Sequence, residues 1–234
     1  MSASPYRDAG IPYAIRRSDR ARRARIVVDR DGVEVVVPRR MPLREVAPFV
    51  AEKERWIQRT LRRYQEADAM AGRVDLRDGG SVPYLGRDLA LRVRVEPGRV
   101  RPHVALRAES VVVKVGAAGE VREALERWYR RRAREEVAWR LDAATARAGT
   151  SYTRLTIRGQ RTRWASCTDR GAMSFNWRLL LAPEEILDYV VEHEVAHLEV
   201  MGHSRRFWAL VGRRCPDYRR HERWLRRYGS TLRL

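Results

Sequence analysis

The stretch HEVAHLEVMGH, residues 193–203, decides the fold and points to the chemistry of this chain. His193 and His197 are four residues apart, so on an α-helix both imidazoles lie on one face, close enough to share a metal ion. Glu194 lies beside them and can accept a proton from a metal-bound water without being a ligand itself. His203 can supply a third nitrogen. Three imidazoles leave the fourth tetrahedral position of a zinc ion open for water, which predicts a catalytic zinc site rather than a structural one.

The residues before this motif predict the helix that it needs. Pro183, Glu184 and Glu185 are typical of a first helical turn, where proline is tolerated and the helix dipole favours acidic side chains. The apolar residues that follow form one broad face, which predicts a buried helix; they are Ile186, Leu187, Val190, Val191 and Val195. Gly202 is expected to end the helix with a positive φ and to turn His203 back toward the metal. Because buried histidines without a partner are costly, metal ligation is favoured over the alternative of satisfied core histidines.

The composition is strongly basic. The 234 residues carry a formal net charge of +19, and Lys53 and Lys114 are the only lysines, so the positive charge is almost wholly arginine. Arginine is densest in three segments, 16–25, 127–134 and 219–227. Non-specific binding to nucleic acid and a set of solvated helix faces are both open as explanations of this charge. No zinc-finger, RNA-recognition or helix-turn-helix pattern is visible.

Cysteine usage and hydropathy indicate the compartment. Cys167 and Cys215 cannot form a disulfide framework and suit a reducing environment. The sequence has no run of 18 apolar residues, and residues 1–20 lack the apolar segment of a signal peptide. We therefore expect a cytoplasmic protein without a membrane partner. Pro216 follows Cys215 in a predicted turn, so an inert buried thiol is favoured there over a metal ligand.

Alternating and helical patterns predict an α+β fold. The predicted strands of the first part lie at 25–29 and 33–37, which form a hairpin around Asp31-Gly32. Further strands are predicted around 84–86, at 89–95, 103–106 and 111–115, and at 152–158, 163–167 and 173–177. The predicted helices lie at 42–64, at 120–148, from 183 to an end at Gly202, at 204–211 with Ser204 as the N-cap, and at about 218–228. In the first two helices, Trp56 is expected to face the core and Trp139 to share the face of Leu125 and Leu141. We predict an N-terminal β-rich module over residues 12–119 and a catalytic domain over residues 120–234. No internal repeat stands out.

Four segments, two of which overlap the histidine motif, resemble a known family. They are Arg163-Trp164-Ala165-Ser166-Cys167, Asn176-Trp177-Arg178-Leu179, residues 189–198 and residues 202–208. Together they resemble the YgjP-like metallopeptidases, which are related to the WLM and SprT groups of zincin-type proteases. The usual motif of that family has Gly in place of Ala165 and commonly Asn in place of Gly202, and neither change touches a predicted ligand. The resemblance implies a zincin-like fold, Zn²⁺ bound by the three histidines, and Glu194 as the general base, as the residues themselves also predict.

The leading hypothesis is a zinc metallopeptidase that hydrolyses peptide bonds of a peptide or protein substrate. An extended substrate could add as a strand beside the strand pair around Trp164 and Phe175. Four residues are open as donors to the tetrahedral oxyanion, namely Tyr189, Arg163, Tyr218 and His221. The alternative is a nucleic-acid-associated binding protein, or a protease acting on DNA-bound proteins, that uses the arginine-rich surface. A scaffold that only binds metal is disfavoured because a structural site needs no base such as Glu194. The sequence makes no prediction about oligomeric state.

Overall fold

The computed structural model describes residues 6–8, 10–29, 32–70, 74–160 and 162–234. It is 44% helical and 27% strand, which confirms the predicted α+β class. Contacts divide the chain into two compact units, Met1–Gly72 and Arg73–Leu234. This division falls before the boundary predicted at 119/120, because the strands between residues 81 and 115 share one core with the helix that starts at Val121.

The first unit is a four-stranded sheet with two helices. Its strands are β1 (Tyr6–Asp8), β2 (Ile11–Ser18), β3 (Arg25–Asp29) and β4 (Gly32–Pro38), in the order β1-β2-β4-β3. β2 and β4 are parallel and the other pairs are antiparallel, which confirms the predicted hairpin of β3 and β4. The intervening residues 30–31 lie outside the described residues. Alternate residues of the sheet pack on the two helices in a core formed by Ile11, Tyr13, Val28, Val33, Val35, Val37, Val46, Val50 and Ile57.

The helix predicted over residues 42–64 is interrupted. A short 3₁₀ helix (Leu43–Glu45) leads into α1 (Val46–Glu52), and α2 (Glu54–Met70) follows Lys53. The Lys53 N–H donates to the carbonyl of Val50 at 3.1 Å, an i to i−3 bond that tightens the turn and shifts the phase of the helical face. Ile57 is consequently fully buried, whereas Trp56, which was predicted to face the core, is 44% exposed.

The second unit repeats the strand order of the first. Its strands β5 (Ser81–Tyr84), β6 (Arg87–Val95), β7 (His103–Arg107) and β8 (Ser110–Val115) are ordered β5-β6-β8-β7, again with a parallel central pair, β6 and β8. In both units two antiparallel hairpins are joined side by side and followed by helix. The two units therefore share a topology although no internal repeat stands out in the sequence. The predicted strand at 84–86 is partly wrong, since Leu85 and Gly86 form the turn between β5 and β6.

Helix α3 (Val121–Ala148) is the central element of the second unit. It ends at Gly149, whose φ of 64° is left-handed, as the C-terminal glycine predicts. Its apolar stripe packs against β8, β9 and α4, and Leu125, Tyr129 and Leu141 are fully buried. Trp139 was predicted on this face but is 66% exposed; it lies on the opposite side of the helix, where the Arg140 guanidinium stacks on its ring.

A small sheet and three helices complete the second unit. The sheet consists of β9 (Arg154–Arg158), β10 (Ala165–Cys167) and β11 (Ala172–Asn176) in the order β10-β11-β9. A 3₁₀ helix (Trp177–Leu181) connects β11 to α4 (Glu184–Ala196), which is followed by α5 (Arg205–Arg214), α6 (Tyr218–Tyr228) and a last 3₁₀ turn (Gly229–Thr231). Across the described residues, no helix combines the length and the apolar character that crossing a membrane would require.

Candidate metal centre and active site

Helix α4 carries the metal motif and is held on α3 by a buried cation. Arg140 of α3 is 5% exposed and donates to Glu136 of its own helix at 2.6 Å and to Asp188 of α4 at 2.7 Å. It also donates to Glu184 in the first turn of α4. Because one guanidinium bridges both helices, the first two turns of α4 are fixed against α3 and the motif one turn later is placed with them.

The structure brings the three predicted ligands together. His193, His197 and His203 each offer a ligand atom, and these atoms all lie within 4.8 Å of one another. The Nε2 atoms of His193 and His203 are 3.1 Å apart. Two nitrogens of a tetrahedral zinc site with Zn–N bonds of about 2.0–2.1 Å are separated by roughly 3.4 Å. The cluster therefore already has nearly the spacing of a metal site.

His203 reaches the cluster by a route that differs in part from the prediction. α4 ends at Ala196 with His197 as its C-cap, so Gly202 does not end the helix. The first residues of the segment that follows stay close to the helix, since the Val200 N–H donates to Ala196 O at 3.0 Å. Gly202 does have the expected positive φ, 82°, and turns the chain just before His203. Ser204 then caps α5 by accepting from Phe207 N at 3.4 Å, as predicted.

Groups around the ligands orient their rings. Nδ1 of His197 lies 3.3 Å from the carbonyl of Val200, which fits the tautomer with its proton on Nδ1 and leaves Nε2 free as a ligand. Phe207 is fully buried and stacks on His197 with ring centroids 4.4 Å apart. Trp208 packs against the rings of His193 and His203. These contacts restrict the side-chain rotation of the ligands before any metal binds.

Burial also favours the neutral imidazoles that a metal requires. Burial, together with repulsion from the neighbouring His197 and His203, lowers the pKa of His193 to about 3. The pKa of His197 is lowered as well, again mainly by burial. Both rings are therefore unprotonated at neutral pH. A set of three imidazole nitrogen donors fits a divalent zinc ion, which supports the prediction of a metal ligand set at these positions.

Glu194 is a buried carboxylate beside the ligands. Its side chain is 5% exposed, and within the described residues its Oε2 has no hydrogen-bond partner. Burial raises its pKa to about 8, while the positive charge of Arg163 acts in the opposite direction. An unpaired, desolvated carboxylate is a strong proton acceptor, because desolvation penalises the charged form. A bound cation would favour that charged form and lower this pKa.

The four open candidates for the oxyanion donor have different surroundings. Tyr189 is buried between His193 and His221, with ring centroids 6.0 and 5.9 Å away. Tyr218 stacks on Trp208 instead of facing the histidines. Arg163 is exposed and close enough to lower the pKa of Glu194. In the described chain its guanidinium has no hydrogen-bond acceptor.

The small sheet borders the metal helix through β10. This strand pairs only with β11 among the described residues, so its other edge is unpaired, and it packs against α4. Cys167 on β10 lies close to Glu194, which together with burial raises the pKa of the thiol to about 11. No sequence pattern indicates this proximity. Cys215 is a half-buried free thiol outside the histidine cluster, as expected.

A three-histidine cluster with a buried glutamate on the same helix defines the class of metal-dependent peptidases. A comparison with protein families agrees: the model described as "YgjP-like, metallopeptidase domain" matches residues 22–228, and the chain belongs to this family. The predicted membership and the metallopeptidase class are thereby confirmed. Among solved structures, the chain is similar to the crystal structure of the metallopeptidase zymogen of Pyrococcus abyssi abylysin, with 24% identity, coverage of 40% of this chain and 95% of that one, and a TM-score of 0.34. No curated protein matches.

Proposed function

We propose that this chain is a zinc metallopeptidase in which His193, His197 and His203 hold Zn²⁺ and Glu194 is the general base. One observation carries the proposal: a buried carboxylate, with one oxygen that has no partner among the described residues, lies beside three histidine nitrogens within 4.8 Å of one another. A structural zinc site would need a fourth protein ligand and no base. These four residues all lie within residues 120–234, the part that we propose as the catalytic domain.

Zinc, when bound, supplies a Lewis acid that lowers the pKa of water to about 7 and polarises a substrate carbonyl. The residues of the chain then carry out the proton transfers. Glu194 accepts the proton of the attacking water, and the same carboxyl, now protonated, can pass it to the amine that leaves. The burial of Glu194 favours this exchange, because desolvation makes its carboxylate a stronger proton acceptor.

The unpaired edge of β10 is the proposed binding site of the substrate. An extended peptide can add to that edge by main-chain hydrogen bonds, which bind any sequence and present a peptide bond to the helix packed against the strand. Arg163 lies two residues before β10. We assign it as the donor to the tetrahedral oxyanion, since it combines a free guanidinium with proximity to Glu194.

Metal exchange tests the proposal. The purified chain, stripped with a chelator, is incubated with an unfolded casein-like substrate before and after addition of one equivalent of zinc. Hydrolysis is expected only in the reconstituted sample, with one zinc per chain by elemental analysis. Full activity in a chelated sample shown to be free of metal would refute a metal-dependent peptidase. We place this activity in a reducing compartment such as the cytoplasm, because both cysteines are free.

A second candidate function rests on helix α6. Arg219, Arg220, Arg223, Arg226 and Arg227 are all exposed and fall within about one third of the helix circumference at 3.6 residues per turn. Of these five, only Arg226 has an acidic partner, Glu222 at 3.1 Å, among the described residues. A continuous arginine row suits the phosphate backbone of nucleic acid, which supports the alternative of a protease that acts on nucleic-acid-bound proteins.

Salt distinguishes this second candidate from a solvated surface. Replacement of Arg220, Arg223 and Arg227 by Gln should reduce the slope of log affinity against log salt by about 0.9 per lost phosphate contact. The measurement is a fluorescence-anisotropy titration of a labelled oligonucleotide at several salt concentrations. An unchanged slope in the triple variant would remove α6 as the contact surface.

A further inference from the structure

Three hydrogen-bond donors surround Gly159, and none of them belongs to the histidine cluster. Among the described residues, the donors on Trp177 and Arg178 have no acceptor, whereas Nη2 of Arg130 already donates to Glu126. A Cβ placed on Gly159 would lie 2.8 Å from Nη2 of Arg130, 3.2 Å from Nε1 of Trp177 and 3.4 Å from Nη1 of Arg178. Gly159 directly follows β9, Arg130 belongs to α3, and the other two residues start the 3₁₀ helix after β11. All three atoms are nitrogens that donate and cannot accept, so they cannot satisfy one another.

The indole of Trp177 is the most constrained of the three donors. The residue is 1% exposed, and within the described residues its Nε1 has no hydrogen-bond partner. Buried N–H groups almost always have an acceptor, because an unpaired one has lost water and gained nothing in return. Among the described residues, this donor therefore lacks the acceptor that such a buried group requires, and an added ligand could supply it.

Arg178 has a guanidinium without a counter-charge. In the described part of the chain its side-chain N–H groups have no hydrogen-bond acceptor. The guanidinium stacks on the Trp177 ring, with Cζ 4.7 Å from the ring centroid. Burial lowers the pKa of this arginine and the charge of Arg130 lowers it further, while Glu126 acts in the opposite direction. Glu126 is already engaged with Arg130 at 2.5 Å. Two cations thus share one carboxylate, and the surplus positive charge is on Arg178.

We propose that Arg178, Arg130 and the Trp177 indole form a binding site for a phosphate group beside Gly159. The spacing fits a single tetrahedral anion. Each of the three nitrogens lies within 3.4 Å of the Cβ position at Gly159. No two of them can therefore be farther apart than the sum of the two longest distances, 3.2 and 3.4 Å. The oxygens of one phosphate, each accepting a hydrogen bond of about 2.9 Å, span that separation. Guanidinium groups are also the side chains that bind phosphate in a bidentate manner.

Glycine at position 159 is part of this site. Any side chain there would enter the space between the three nitrogens, at 2.8 Å from the nearest. Arg158, the exposed last residue of β9, adds positive charge next to it. The phosphate can come from free phosphate or from a nucleic acid backbone, and the two sources are separated by the probes below. The inference does not depend on peptidase activity.

Binding of inorganic phosphate and of a short oligothymidylate is measured by calorimetry on the full chain. The test variant is Arg178→Gln. The control variant is Arg94→Gln, which also removes one positive charge, but from an exposed position on β6. Loss of a charged hydrogen bond from this site should weaken binding about tenfold to a hundredfold in Arg178→Gln and leave it unchanged in Arg94→Gln. Acetate at the same concentration serves as the carboxylate control, and circular dichroism verifies that each variant is folded.

Weakened binding of free phosphate in Arg178→Gln supports a site for free phosphate, and weakened binding of the oligonucleotide alone supports a backbone phosphate. A variant that does not fold is replaced by Arg178→Lys, which keeps the charge but loses the bidentate geometry and should also bind more weakly. The proposal is overturned when neither probe binds the wild type, when both substitutions weaken binding equally, or when acetate binds as tightly as phosphate.

Discussion

Replacement of Arg140 by Met tests how α4 is held in place. Methionine keeps most of the length and apolar packing of the stem but removes the guanidinium, which is 5% exposed and bridges Glu136, Glu184 and Asp188. Loss of one partner of a fully buried ion pair costs about 3–5 kcal/mol. Here the cost is smaller because the side chains of Glu184 and Asp188 are 56% and 55% exposed and regain water.

The remaining carboxylate also keeps other partners. Glu136 still accepts from Arg132 and from the Tyr84 hydroxyl, both at 3.0 Å. The net loss therefore approaches the value of one charge-assisted hydrogen bond, and we expect the free energy of unfolding to fall by about 2 kcal/mol. Arg127 and Glu123 on the same helix form an ion pair whose side chains are 50% and 77% exposed, respectively. The control Arg127→Met should therefore lower the free energy of unfolding by less than about 0.5 kcal/mol.

Urea denaturation followed by tryptophan fluorescence measures both variants. Six of the seven tryptophans, all except Trp56, belong to the unit Arg73–Leu234, so the signal reports on the unit that contains Arg140. Equal midpoints for Arg140→Met and Arg127→Met would refute the argument, because burial would then make no difference to the ion pair. A loss of about 5 kcal/mol would refute the discount for exposure of the α4 carboxylates.

Three further predictions concern the metal centre. His203→Ala should lower zinc affinity at least tenfold as measured by competition with a chromophoric chelator, because two histidines from one helix remain; wild-type affinity would show that another residue is the third ligand. The metal-free protein should lose stability as the pH falls below 6.5 toward the lowered pKa of His193, since the unfolded chain binds the proton more readily. In His193→Gln the urea midpoint should therefore depend less on pH between about 6.5 and 5. A pH dependence equal to that of the wild type would contradict this. Arg163→Gln should lower kcat about a hundredfold with zinc content unchanged, and an undiminished kcat would exclude Arg163 as the oxyanion donor.

The metal centre could be predicted because its pattern is local. His193, Glu194 and His197 are fixed relative to one another by helical periodicity, and a short turn returns His203. The end of α4 was misplaced because Gly202, with its permissive φ, was taken as the C-cap, whereas the helix already ends at Ala196. A glycine in the sequence shows where a positive φ is allowed but not which turn uses it.

Features that join distant segments could not be predicted. The Arg140 bridge links residues 44 and 48 positions apart, and nothing in one-dimensional periodicity distinguishes Arg140 from its exposed neighbours on α3. The donors around Gly159 come from three elements, so no spacing rule connects them. The repeated strand order of the two units has no matching sequence pattern, because alternation constrains which face is buried and leaves the pairing order free.

The central claim is that Glu194 activates water at a metal held by three histidines. Hydrolysis of an unfolded protein substrate by wild type and by Glu194→Gln, each shown to contain one equivalent of zinc, tests it directly. The amide keeps the shape of the side chain and loses its basicity, so we expect equal zinc content and a fall in kcat of about a hundredfold or more. A zinc-loaded Glu194→Gln protein with wild-type kcat would contradict the claim.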